Sequence, residues 1–88
     1  MPKIPRDISG RELSQMLKRF GYEITRQTGS HIRLTNLLKN EPHHITIPDH
    51  SPLKIGTLNQ ILKDIADHLK IEKLALMKEL FEDKKLKQ

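Results

Sequence analysis

The stretch Ile24–Thr35, "ITRQTGSHIRLT", decides the fold. Apolar and polar residues alternate on both sides of Gly29-Ser30, and a two-residue connection containing glycine between alternating runs marks a β-hairpin. "YEITRQ" (22–27) is the first strand, with Tyr22 and Ile24 on one face and Glu23, Thr25 and Gln27 on the other. "HIRLT" (31–35) is the second. Ile32 and Leu34 face inward there, and His31, Arg33 and Thr35 share the solvated face.

Working outward, "NLLKNEP" connects to a third strand, "HHITIP" (43–48), with Ile45 and Ile47 inward and His44 and Thr46 outward. Pro48 closes it, because proline cannot extend a ladder. Upstream, "DISGRELSQMLKRFGY" reads as a helix. Ser9 and Glu12 have the spacing of a capping box, and Ile8 and Leu13 that of a hydrophobic staple. Leu13, Met16, Leu17 and Phe20 form one apolar stripe, and Gly21 is the expected left-handed stop. Downstream of "DHSPLKIG", Leu58, Ile61, Leu62 and Ile65 repeat the amphipathic spacing. Thr57 is the N-cap candidate, with an alternative start at Lys54 if Gly56 is tolerated in the first turn. Residues 71–86 are periodic again, with Leu74, Met77 and Phe81 on one side. No Pro or Gly separates them from the second helix, so a continuous helix and a separate third one both fit. The last residues, "KKLKQ", are expected to fray.

The expected architecture is α+β, in the order α-β-β-β-α with an additional C-terminal helix. At 88 residues it is expected to be a single domain, 1–88, with a core over about 8–68 and a helical extension over about 71–86. The absence of cysteine excludes disulfides, iron–sulfur clusters and thiolate zinc sites. No apolar run reaches the ~20 residues of a membrane span, and "MPKIPRDIS" lacks a signal-peptide core, so a soluble, cytoplasmic protein is expected.

The formal net charge of +5 points to a polyanionic partner. Residues 1–57 hold nine Lys/Arg against five Asp/Glu, and residues 58–88 hold seven against six. The excess therefore lies in the half that contains the hairpin. Four of the five histidines fall between positions 31 and 50. As metal ligands His43, His44 and His50 are a poor set, because His43 and His44 point to opposite faces of a strand and no carboxylate has a recognisable spacing. As plain surface residues, His43, His44 and His68 need no further account. His31 carries a third reading. Imidazole ordinarily changes charge near neutral pH, so it can move a proton there. Cleaving an RNA phosphodiester without metal needs a base for the 2′-hydroxyl, an acid for the leaving 5′-oxygen and a cation for the phosphorane-like transition state. Gly29 leaves room for a nucleic-acid backbone to approach, and Arg33 is placed to hold the phosphate.

Phe20-Gly21-Tyr22, then "GSH" (Gly29-Ser30-His31), "TIPDH" (46–50) and "KIGTLNQIL" (54–62) follow in the order and at the spacing of a known family. In these motifs, over roughly residues 9–65, the chain resembles the HicA (YcfA-like) toxins of toxin–antitoxin systems. The resemblance implies a fold like the double-stranded-RNA-binding domain and a metal-independent endoribonuclease, an mRNA interferase of the stress response. It implies His31 as catalytic residue, no metal or organic cofactor, and mRNA as substrate. A HicB-type antitoxin is the implied protein partner, binding in a toxin–antitoxin hetero-oligomer. Ser30, Arg33, Lys54 and His50 are the RNA-binding candidates, Lys54 because folds of this kind place phosphate-gripping lysines at the start of the second helix. The second proton carrier is left open by the residues, between His50, a lysine, water and the leaving group's own solvent shell. Gly29 and Gly56 are the structural turn glycines, and Thr57 and Leu58 are read as structural beside Gly56. The chain departs from the family at Asp49, where a basic residue is common. Two readings compete with the nuclease: a non-catalytic RNA-binding module of the same fold, and a protein-binding partner whose basic face meets an acidic protein.

Overall fold

The computed structural model describes residues 7–38 and 41–82. The expected fraying of the last residues, the far end of the C-terminal segment and the N-terminal "MPKIPR" lie outside them. The described residues fall into two compact units, Asp7–Leu53 and the residues from Lys54 on.

The first unit opens with α1 (Gly10–Met16), which runs on as a 3-10 helix over Leu17–Phe20. The expected capping box is formed: the Ser9 hydroxyl accepts from the Glu12 amide at 3.0 Å, and the Glu12 carboxylate accepts from the Ser9 amide at 2.9 Å. Gly21 ends the 3-10 helix in the left-handed region, at φ 94°. Leu13 and Leu17 are fully buried, as the stripe predicts. Three antiparallel strands follow in the order β1 (Tyr22–Thr28), β2 (His31–Asn36) and β3 (His43–Pro48). Helix α1 contacts all three strands. Tyr22, Ile32, Leu34 and Ile47 are buried on the inner face of the sheet.

Two details of the sheet depart from simple alternation. First, β1 carries a bulge between Ile24 and Arg26, so Arg26 pairs with Arg33, and Gln27 pairs with Ile32. The extra residue, Thr25, shifts the alternation by one. Arg26 thereby joins the open face, and Gln27 leaves the face that the sequence pattern assigns to it. Second, β2 continues through Asn36, which is fully buried. Its amide donates to the Phe20 carbonyl at 3.0 Å, and its oxygen accepts from the Leu38 amide at 2.9 Å. Asparagine is a turn-favouring residue, yet here its buried side chain bonds two backbone groups that flank the strand.

The second unit begins with α2 (Ile55–Leu69), whose inward stripe is Leu58, Ile61, Leu62 and Ile65, as the spacing predicts. The helix starts ahead of Thr57. Lys54 takes the extended N-cap position, and its carbonyl accepts from the Leu58 amide at 2.9 Å. Gly56 is therefore a first-turn helix residue and not a turn glycine, and a Cβ there would meet nothing within 4 Å. At the far end Lys70 is left-handed, at φ 60° and ψ 42°. Its amide reaches the Asp67 carbonyl at 3.3 Å, and the Ile71 amide reaches the Ala66 carbonyl at 3.1 Å. That pair of bonds is a complete Schellman motif built on lysine. A separate helix α3 (Lys73–Met77) follows and widens into a π-helical turn over Lys78–Glu82. Its buried side is Leu76, Met77 and Leu80; of the expected stripe of Leu74, Met77 and Phe81, Met77 is buried, Phe81 is half-buried and Leu74 is 41% exposed, so the stripe is only partly in phase. The break at Lys70 resets the helical phase, and the π turn resets it again.

The element order α-β-β-β-α, with the further C-terminal helix, makes an α+β fold consistent with the double-stranded-RNA-binding domain. No helix among the described residues is long and apolar enough to cross a membrane.

Candidate active site

The β1–β2 hairpin turns on Gly29-Ser30, with Thr28 and His31 as its closing pair. Gly29 has φ 55°, the glycine position of a type II′ turn, and a Cβ there would meet open space. Glycine is thus needed for backbone conformation, and the turn's outer side is unobstructed. The Ser30 carbonyl accepts from the Asp49 amide at 2.7 Å, which ties the hairpin tip to the loop after β3.

That loop is anchored from several sides. The Gly10 amide, at the start of α1, donates to the His50 carbonyl at 2.9 Å, and the Leu53 amide donates to the Ile8 carbonyl at 2.8 Å. A Cβ at Gly10 would run into the Pro48 carbonyl, so α1 and β3 approach as closely as backbones can. The Asp49 carboxylate receives Arg11 at 3.2 Å and Gln27 at 3.4 Å. A half-exposed ion pair of this kind contributes at most about 1 kcal/mol, so its value is geometric. The Asp49 carboxylate thus clamps loop, helix and strand together.

Cross-strand register sorts the open face into three rows. Thr28, His31 and Pro48 form the row nearest the turn; Arg26, Arg33 and Thr46 form the next; Glu23, Thr35 and His44 form the third. His31 is exposed, and among the described residues no side chain bonds its ring. Arg33 and Arg26 are exposed and face each other, and among the described residues neither has an ion-pair partner. Like charges opposed across a strand pair destabilise a sheet, so the pair costs stability when the face is empty. Ser30 and His50 are exposed in the first unit, and Lys54 is exposed at the start of α2 in the second.

The remaining histidines are placed differently. The Tyr22 hydroxyl meets His43 Nδ1 at 2.6 Å, with the rings edge to face. His44, on the opposite face as expected, has its Nδ1 2.9 Å from the Thr35 hydroxyl, which also meets the Thr25 hydroxyl at 3.0 Å. Among the described residues no group of three or more histidines and carboxylates could hold a metal ion. Two features of the open face were not legible in the sequence, the face of Arg26 and the anchoring of the His44 ring. Arg26 was hidden by the bulge, which alternation does not signal. His44 reads as an ordinary surface residue until its ring is seen fixed by a buried threonine.

No curated protein and no solved structure matches the chain. Residues 10–66, well over half of its length, match the family described as the HicA toxin of bacterial toxin–antitoxin systems. The matched span runs from the first helical residue of α1, through the hairpin with His31, into the last turn of α2. The chain belongs to the HicA toxin family of bacterial toxin–antitoxin systems.

Proposed function

We propose that the protein is a metal-independent endoribonuclease that cleaves mRNA, with His31 as its catalytic residue. Family membership supports the coarse reading, since HicA toxins are generally mRNA-cleaving. The observation that carries the finer one is the position of His31. It is exposed beside a turn without side-chain obstruction, one row from an arginine pair that has no ion-pair partner among the described residues. In the reaction, the His31 imidazole takes the proton of a 2′-hydroxyl. The 2′-oxygen forms its bond to phosphorus, the bond to the 5′-oxygen breaks, and that oxygen receives a proton. The products are a 2′,3′-cyclic phosphate and a 5′-hydroxyl. Arg33 stabilises the charge on the phosphorane, and Ser30 orients the turn. His50, held by its carbonyl on α1, is the candidate second proton carrier. Lys54, exposed at the N-cap of α2, is a further candidate for a phosphate contact.

A toxin of this class has an antitoxin partner. A HicB-type protein that covers the open face would silence it by occlusion, and mRNA as substrate places the activity in the cytoplasm. The test is cleavage of an end-labelled mRNA in excess EDTA by the wild type and by His31→Ala. Wild-type cleavage that ends in cyclic phosphate, and falls at least ~100-fold in the variant, is expected. His31→Ala should fold normally, because its ring bonds nothing in the described residues. Intact RNA in both reactions with RNA binding retained would reduce the protein to a non-catalytic RNA-binding module.

A further inference from the structure

We propose that the open face of the sheet is a track for one strand of RNA, running from His31 past the Arg26–Arg33 pair to His44, and that the substrate is therefore taken single-stranded. The proposal rests on the ribonuclease reading and extends it to a substrate class and to two further residues, Arg26 and His44.

The geometry begins with the rows. His31, Arg33 and Thr35 are alternate residues of β2, and alternate residues of a strand repeat every ~6.6 Å. That is close to the phosphate repeat of an extended single strand. Each row offers its own donor: His31 in the first, the two guanidinium groups in the second, His44 in the third. Strand and RNA backbone can thus run in step, with the scissile phosphate at His31 and the following ones at the arginine pair and at His44.

The donors are also prepared. Arg26 reaches this face only because the bulge at Thr25 re-aims it, which places side by side two cations with no ion-pair partner among the described residues. An anion bridging them converts a repulsion into two attractions. The His44 ring is held through Nδ1 by Thr35, itself 7% exposed and bonded to Thr25, so its other nitrogen is left to meet a ligand. Glu23 closes the third row on the β1 side, which keeps a polyanion toward β2 and β3.

The same face argues against a duplex. From His31 to Thr35 it extends about 13 Å, whereas double-stranded RNA is held by shape over about 16 base pairs and two minor grooves. No Phe, Tyr or Trp stands in the three rows, so bases find no stacking platform there. The contacts go to phosphates, and the track itself is tolerant of sequence and sensitive to salt.

The experiment uses the full-length wild-type chain and a short fluorescein-labelled 2′-O-methyl RNA, which lacks the 2′-hydroxyl needed for cleavage. Anisotropy is followed with increasing salt, with the strand free and annealed to its complement. The free strand should bind more tightly than the duplex. Arg26→Gln and His44→Gln should each weaken it roughly two- to tenfold, and Arg26→Gln should flatten the logarithmic salt slope by about 0.7. Thermal melts of both variants verify folding. Equal affinity for the duplex, or an unchanged affinity and slope in folded Arg26→Gln, would overturn the track. So would displacement of the strand by poly-aspartate at equal charge, which would assign the face to an acidic protein. Cleavage of unmodified RNA without these binding effects would leave the nuclease and remove the track. These binding effects without cleavage would support the track and overturn the nuclease.

Discussion

Thr35 has a single hydroxyl and two partners for it, Thr25 and the His44 ring. Because the hydroxyl is nearly buried, its bonds form in a setting where water competes poorly. Thr35→Val keeps the shape and the strand preference while deleting both bonds. The expected loss is about 1 kcal/mol, read as a lower midpoint in urea with an unchanged slope. An unshifted midpoint would mean that Thr25 and His44 recover the loss from solvent. At this scale the sequence was legible where a residue type has a single use. Ser9, Glu12 and Gly21 have the cap roles that their types and spacing announce. It was opaque where one type serves two environments. Asn36 reads as the start of a loop and is a buried strand residue, because its two side-chain bonds replace the water that a loop would have.

Among the elements, the three strands, α1 and α2 were legible because each buries one face, and burial writes its period into the chain. What was not legible were the interruptions. A bulge leaves the alternation of apolar residues nearly intact while exchanging the faces of Arg26 and Gln27. The end of α2 is likewise unmarked, since lysine is a good helix former and gives no stop signal. Its cost is measurable. A left-handed non-glycine residue is strained by roughly 1–2 kcal/mol, part of which glycine gives back in the unfolded chain. Lys70→Gly is therefore expected to stabilise by up to about 1 kcal/mol, a Tm rise of roughly 4–8 °C in a melt followed by circular dichroism. A lower Tm would show that the lysine side chain contributes more at this cap than its backbone strain removes.

For the molecule as a whole the governing quantity is charge. The chain has a net +5, concentrated in the half that forms the sheet, and the sheet opposes two of its arginines directly. Self-repulsion is screened by salt, so Tm should rise from about 0.01 M to about 0.15 M ionic strength. Arg26→Gln should raise the low-salt stability by a few tenths of a kcal/mol and shrink that salt dependence. A Tm that falls with salt would show attraction to be the larger electrostatic contribution to the fold. The arginine pair also links durability to performance with opposite signs. The repulsion that folding must overcome is returned when an anion settles between the two guanidinium groups, so the empty protein is held below the stability its core could support. Selection for a hardier empty chain would therefore relax the opposition at Arg26 and Arg33, and each gain in shelf life would be taken from the grip on phosphate.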